Sequence, residues 1–499
     1  MTAGNFWDYD VWSIILLLGT IGVSILLAGM IKHWIKPLRK SLIPSSVLGG
    51  LLLLIISFVV FEATGGIKNG GKYLFELDCF NGPNLTGMTI MEIITYHCLG
   101  LGFIAMALRQ NDKKFSGQRA REVFDSGVTT VSGYLMQGFL GLSVTIIAVW
   151  LGYGIWNGSG IILPFGYGQG SGQAMTYGSL YVFSETTPWG FLSKDSGRSF
   201  GLAIAALGFL SACIGGVIFM DVMVKKGKIK VNGDDIKENY TLEQIVGMNE
   251  IPMSGSVDKL TVQIGIVMAI YAVSYFLMEI ICTLFGLNEA LRATIYGFNF
   301  LLGTFLAMAL KGIIGGMRKK RLFKRKFINT FLMNRIGGFF FDFMIVAGIA
   351  AIRIDVIVNY WLIIVILGFV GAVSTYFYVW HVSKKLFGQY SAEQFLAFYG
   401  MLTGTASTGI ILLREIDHEF KTPAADNLVY QNLPAIVLGF PMMFLGTYIF
   451  TGGQTAVYVT WGICFTLFLA MQLILFRKYI FRSKKSKALE QNPQDTNNN

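Results

Sequence analysis

The sequence predicts an all-α polytopic membrane protein, an inverted repeat of five transmembrane helices plus one re-entrant segment each, with an extra C-terminal helix. Three observations carry that expectation. Apolar residues fill 54% of the 499 positions and charged residues only 14%, a balance foreign to a soluble globular chain. Apolar runs of about 20 residues, the length that crosses about 30 Å of hydrocarbon as a helix, recur along the chain. Two stretches rich in glycine and hydroxyl side chains interrupt these runs at matching places, 165–178 and 391–416.

The runs predict helices at 11–31, 43–62, 89–108, 125–151 and 199–224. The polar segment 225–258, KKGKIKVNGDDIKENYTLEQIVGMNEIPMSGSVD, reads as a cytoplasmic linker. Helices follow at 260–285, 293–314, 328–352, 357–380 and 431–450, and an eleventh at 455–476 precedes the basic run FRKYIFRSKKSK and a polar tail. The chain thus divides into a repeat at 1–224, the linker, a second repeat at 259–453, an added helix at 454–480 and a tail at 481–499. Each repeat holds its irregular stretch between its fourth and fifth helices, and similar text, GFIAMALR (102–109) and GIAAIR (348–353), closes the helices two places earlier. Five is odd, so the second repeat enters the membrane from the side opposite to the first.

The net charge of +11 reads as a topology signal and needs no nucleic acid. With the N-terminus placed outside, 32 Lys and Arg fall on the inner side and six on the outer, leaving Lys311 and Arg335 within or at the ends of helices. That split puts the C-terminus in the cytoplasm and the chain in the cytoplasmic membrane. Residues 1–10 carry no basic side chain and KHWIKPLRK follows the first run, so that run is expected to stay as a membrane helix, not to be cleaved as a leader. Five cysteines without a CxxC spacing predict neither disulfides nor a metal cluster. The four histidines are dispersed, and no HExxH, nucleophile elbow or phosphate loop occurs, which speaks against an enzyme.

An unpaired backbone group in hydrocarbon costs several kcal/mol, so an irregular segment at membrane depth must be buried in protein or line a wet cavity. In FGYGQGSGQAMTYG (165–178), Gly166, Gly168, Gly170 and Gly172 permit unusual dihedrals and predict exposed backbone groups, while Gln169, Ser171, Gln173 and Thr176 add polar side chains. The second stretch offers Thr403, Gly404, Thr405, Ser407, Thr408 and Gly409. Two such segments dipping from opposite faces would meet near the midplane and form one substrate and ion site. Carbonyls and hydroxyls suit sodium, with Ser171, Thr405 and Asp342 as its ligands, and helix N-termini suit a carboxylate. Asp342, inside FFFDFMIV, suits a cation, a proton or a pair with Arg335. His97 is a candidate cavity residue, Glu279 reaches an interface, Asn299 is a candidate for interhelical bonding, and Arg335 or Arg414 a candidate anchor for an anion. Arg414, Glu415 and Asp417 mark a cytoplasmic mouth or pair with one another. A channel with the glycine-rich stretch as its filter is the competing class.

SLIPSSVLGGLLLL (41–54), GQGSGQA (168–174), GTAST (404–408) and NLPAIVLGFPMMF (432–444) occur in an order that resembles the bacterial sodium/glutamate symporter family. The resemblance spreads over roughly 40–450. It implies secondary active transport of an acidic amino acid with sodium, by a homodimer whose substrate-carrying part moves against a fixed scaffold. Gln169 stands where the family has His, Gln173 where it has Ala and Ser407 where it has Pro, departures that bear on which carboxylate or amino acid is held. The long linker and the eleventh helix also depart from the family.

Overall fold

The computed structural model describes residues 6–36, 38, 43–82, 84–109, 117–184, 189–229, 258–287, 289–297, 299–320, 328–417, 421–477 and 479. Most of the expected linker and all of the tail lie outside the described residues. The described chain is all-helical, and eleven of its helices are long and apolar enough to cross a membrane. They are α1 (Tyr9–Trp34), α2 (Ser45–Ala63), α3 (Gly87–Leu108), α4 (Gly117–Trp150), α7 (Lys194–Lys225), α8 (Lys259–Leu284), α10 (Asn299–Lys319), α11 (Thr330–Ala350), α12 (Ile354–Leu386), α16 (Asn432–Thr451) and α17 (Gly453–Leu475). Shorter helices lie between them: α5 (Ile162–Gly168), α6 (Ser171–Leu180), α9 (Glu289–Gly297), α13 (Ser391–Thr403), α14 (Ala406–Arg414) and α15 (Ala424–Tyr430). Each expected span meets one of these helices, and the composition fits a multi-pass membrane protein.

Packing sorts the helices into two bodies. In the first, α3 packs on α10 and α11, α11 on α2, α2 on α1, and α8 on α10. In the second, α4, α7 and α12 enclose the short helices α5, α6, α13 and α14, with α16 and α17 laid on α4. Apolar faces turned outward, such as Phe276 at 63% and Phe369 at 69% exposure, suit lipid. Tyrosines tie the second body internally by donating to carbonyls of neighbouring helices. Tyr167 Oη reaches Gly368 O at 2.7 Å, Tyr177 Oη reaches Met443 O at 2.9 Å, and Tyr378 Oη reaches Thr129 O at 3.0 Å.

The two irregular stretches are helical hairpins. Phe165, before the break at 169–170, and Tyr177, after it, stack at 3.9 Å between ring centroids, so α5 and α6 run back along each other. In the second, a Cβ on Gly400 would stand 2.7 Å from Gly409 Cα, which brings α13 and α14 into contact across the break at 404–405. The expectation of an irregular segment with exposed backbone over 165–178 is therefore corrected: only Gln169 and Gly170 stand outside a helix. Three of its four alternate glycines allow close packing, Gly166 against Ile204, Gly168 against the Tyr134 ring and Gly172 against Leu99. Gly170 alone needs glycine's freedom, with φ 87° and ψ −178°, a region essentially closed to other residues.

Helix α4 measures how the hairpins enter. Near its C-terminal end Thr145 Oγ1 donates to Asn157 O at 2.6 Å, at the base of the first hairpin. Near its N-terminal end Glu122 accepts from Tyr390 Oη at 2.9 Å, at the base of the second. At its middle, Tyr134 and Gln137 touch both tips. The bases lie 23 residues apart along α4, about 35 Å at 1.5 Å per residue, close to a hydrocarbon thickness. Helix α7 repeats the pattern: Gly197 meets the first base at Gly178, Gly208 meets Thr403 at the second tip, and Phe219 stacks on Phe395 near the second base.

Candidate functional site

The hairpin tips meet. A methyl placed on Gly170 would lie 3.4 Å from Thr405 Cγ2, 3.6 Å from Met344 Cε and 3.9 Å from Gly404 O. The arms that follow the two breaks, α6 and α14, both begin at this junction, so two positive helix ends converge there, while α5 and α13 bring their carbonyl ends. Thr405 caps α14 by accepting from Thr408 N at 3.4 Å. Gly170 caps α6 without a side chain, which leaves the first amides of α6 without a side-chain acceptor at the junction.

Two donors on α4 hold the tips from one side. Tyr134 Oη donates to Gly168 O at 3.1 Å, and the fully buried Gln137 donates from Nε2 to Leu402 O at 2.9 Å and Thr375 Oγ1 at 2.8 Å. The bonds to Gly168 O and Leu402 O satisfy carbonyls that the ends of short helices leave open. The sequence reading missed both residues, because a tyrosine and a glutamine within an apolar helix gain meaning only from what they face.

Around the junction lie buried polar atoms without a protein partner: Gln169 Oε1, Ser171 Oγ and Gln173 Oε1. Similar atoms occur elsewhere, at Ser13, Ser46 and Thr460 for example, so it is the gathering of three beside the hairpin tips that suits a polar solute. Of the expected residues, the structure gathers Gly168, Gln169, Gly170, Ser171, Thr403, Gly404 and Thr405 at the two tips. Gly172 packs under Leu99, and Gln173 donates to Gly297 O at 3.5 Å. Thr408 sits one turn into α14, and the side chain of Ser407 lies outside what is described.

Asp342 is not brought to this group. Met344 and Gly348 are the residues of α11 that touch Gly170 and Ser171, and at 100° per residue Asp342 falls on the far side of that helix, beside Ser46 of α2. Arg335 lies over the Phe331 ring, 5.3 Å from its centroid. His97 bonds to Tyr271 Oη at 2.7 Å and lines neither of the cavities described below. Asn299 Nδ2 donates to the same oxygen at 3.0 Å and so joins α10 to α8, as expected of an interhelical bond. Glu279 pairs with Arg292 at 2.6 Å, and Asp417 accepts from Lys421 N and Thr422 N, fastening a turn.

Two cavities lie along the seam between the bodies. The first, about 160 Å³, runs from Gly168, Gln169 and Tyr134 to Arg109 and Lys311, with Phe103, Thr304 and Asn432 among its walls. Lys311 Nζ donates to Arg109 O at 2.5 Å. Burial lowers the Arg109 guanidinium to about 10, which keeps it charged at neutral pH. Arg109 and Lys311 at one end and polar hairpin tips at the other suit an anion better than a cation. The second cavity, about 230 Å³, lies toward the other end of the seam, lined by Glu92, Met175, Thr176, Arg198 and Tyr296. Leu99 against Gly172 and the Gln173 bond to Gly297 stand between the two. Neither a family model nor a curated protein matches this chain.

Proposed function

We propose that this chain is a secondary active transporter, a sodium-coupled symporter of glutamate or a related small carboxylate in the cytoplasmic membrane. The observation that carries the reading is the contact between Gly170 and Thr405, two broken hairpin tips from opposite ends of α4, beside a cavity that holds Arg109 and Lys311. In this reading Ser171 Oγ, Thr405 Oγ1 and the carbonyls of the tips hold sodium, and the first amides of α6 and α14 hold the carboxylate. Arg109 and Lys311 draw the anion into the cavity. Asp342 takes no part in the sodium site, because it faces α2.

The same reading makes α1–α7 and α8–α16 inverted repeats, with 225–258 as a cytoplasmic linker, the N-terminus outside and the C-terminus in the cytoplasm. The opposite approach of the hairpins along α4 and the positive-inside bias support it. The body with the hairpins then moves against the other within a homodimer. Proteoliposomes carrying the full chain test the proposal: an inward sodium gradient is expected to drive uptake of labelled glutamate. Equal uptake when potassium replaces sodium would overturn the coupling.

A second reading, a carrier of another organic anion, draws on the same two cations and on Gln169 and Gln173. A thermal-shift panel of carboxylates separates the two, since the ligand that binds the folded state raises its apparent stability.

A further inference from the structure

Four charged side chains join the two bodies at the end of the seam near the second cavity. Glu92 of α3, in the first body, is 4% exposed. Its Oε2 accepts from Arg198 Nη1 at 2.6 Å, and its Oε1 accepts from Arg353 Nη1 at 3.0 Å. Arg198 stands near the start of α7, in the second body. Arg353 caps α12 within the joint 351–353, where the chain leaves α11 of the first body for α12 of the second. Asp195, one turn before Arg198, lies 3.8 Å from Arg198 and 3.4 Å from Arg353. Each arginine therefore stands between two carboxylates.

The joint is fastened further by Arg353 N, which donates to Ser199 Oγ at 3.1 Å, and by Tyr73 Oη, which donates to Asp355 Oδ1 at 2.5 Å. Glu92 and Arg353 are buried, while Arg198 is partly and Asp195 half exposed; attraction offsets the burial of Glu92 only while the geometry holds, and removing a partner leaves that buried charge less compensated. Such a cluster favours two discrete arrangements, closed or parted, over gradual loosening. Glu92 and Arg198 also form part of the wall of the second cavity, so parting them widens the seam on the side of Gln173.

We propose that Glu92, Arg198, Arg353 and Asp195 form an ionic latch across the seam. The hairpin tips become reachable through the second cavity only when Glu92 releases Arg198. The latch rests on the reading that the two bodies move apart.

Met175 lines the second cavity yet is only 5% exposed, so a cysteine placed there reports opening of the seam. The native Cys464, fully buried beside Gly138 in the second body, reports unfolding. The full chain carrying Met175→Cys, in lipid nanodiscs, is treated with a membrane-impermeant maleimide and read site by site by mass spectrometry. Adding Arg198→Gln, which leaves Glu92 paired with Arg353, is expected to speed modification of the introduced thiol about tenfold while Cys464 stays protected. Arg198→Lys, which retains the charge, is expected to keep a rate near that of the parent. An unchanged rate in Arg198→Gln would overturn the latch, and so would an acceleration shared by Cys464. Labelling needs no solute, so the outcome is separate from that of the uptake assay.

Discussion

Tyr134 and Gln137 stand one turn apart on α4, and each donates to a different hairpin. Tyr134→Phe leaves the Gly168 carbonyl without this donor and is expected to lower stability by about 1 kcal/mol in chemical unfolding. Gln137→Leu removes both bonds of the amide and is expected to cost more, about 2 to 3 kcal/mol, because Leu402 O and Thr375 Oγ1 are then left inside the second body. At position 170 the expected cost of Gly→Ala is about 1 to 3 kcal/mol and arises from backbone strain, since the space toward Thr405 admits a methyl. Sequence reading reached the residues of the tips because glycine and hydroxyls at membrane depth demand a reason. It did not reach Arg109, which looks like any cation flanking a membrane helix until the fold turns it toward Lys311 and the cavity. The charge of Asp342 was conspicuous in an apolar run, but the face it turns to is decided by how α11 packs on α2.

The ends of the long helices show where hydropathy stops being informative. An apolar boundary near 125 marks where α4 leaves hydrocarbon, yet the helix begins at Gly117, because Gln118, Arg119, Ala120 and Glu122 favour helix in water. An Arg119–Glu122 ion pair of 2.6 Å spans that exposed turn. The hairpins were legible as irregular elements, but their helical arms were not, because glycines that pack against a ring or a backbone look the same in sequence as glycines that free a dihedral. The start of α14 depends on its cap: Thr405→Val is expected to destabilise by about 0.5 to 2 kcal/mol and to weaken sodium dependence of uptake more than Thr403→Val. Thr403 Oγ1 instead donates to Tyr399 O within α13, at 2.6 Å.

At the scale of the whole molecule, the seam between the two bodies is the feature on which movement depends. Gly172 of α6 faces Leu99 of α3 across it, and a Cβ on Gly172 would lie 3.0 Å from that of Leu99, closer than the roughly 3.5–4.5 Å a disulfide spans, so a slight separation of α3 and α6 admits the bond. Oxidation of the double variant Leu99→Cys, Gly172→Cys is expected to abolish sodium-driven uptake, and reduction to restore it; uptake that persists after cross-linking would show that the bodies need not shift. The number and order of the spanning helices could be read from apolar length alone, whereas the division into two bodies could not, since it resides in which faces meet. The central claim is that both hairpin tips build one solute site, and a cryo-electron microscopy map of the chain in lipid with sodium and glutamate tests it most directly. Density touching Gly170, Ser171 and Thr405 together is the predicted result; solute bound elsewhere, with the tips packed only on each other, would contradict it.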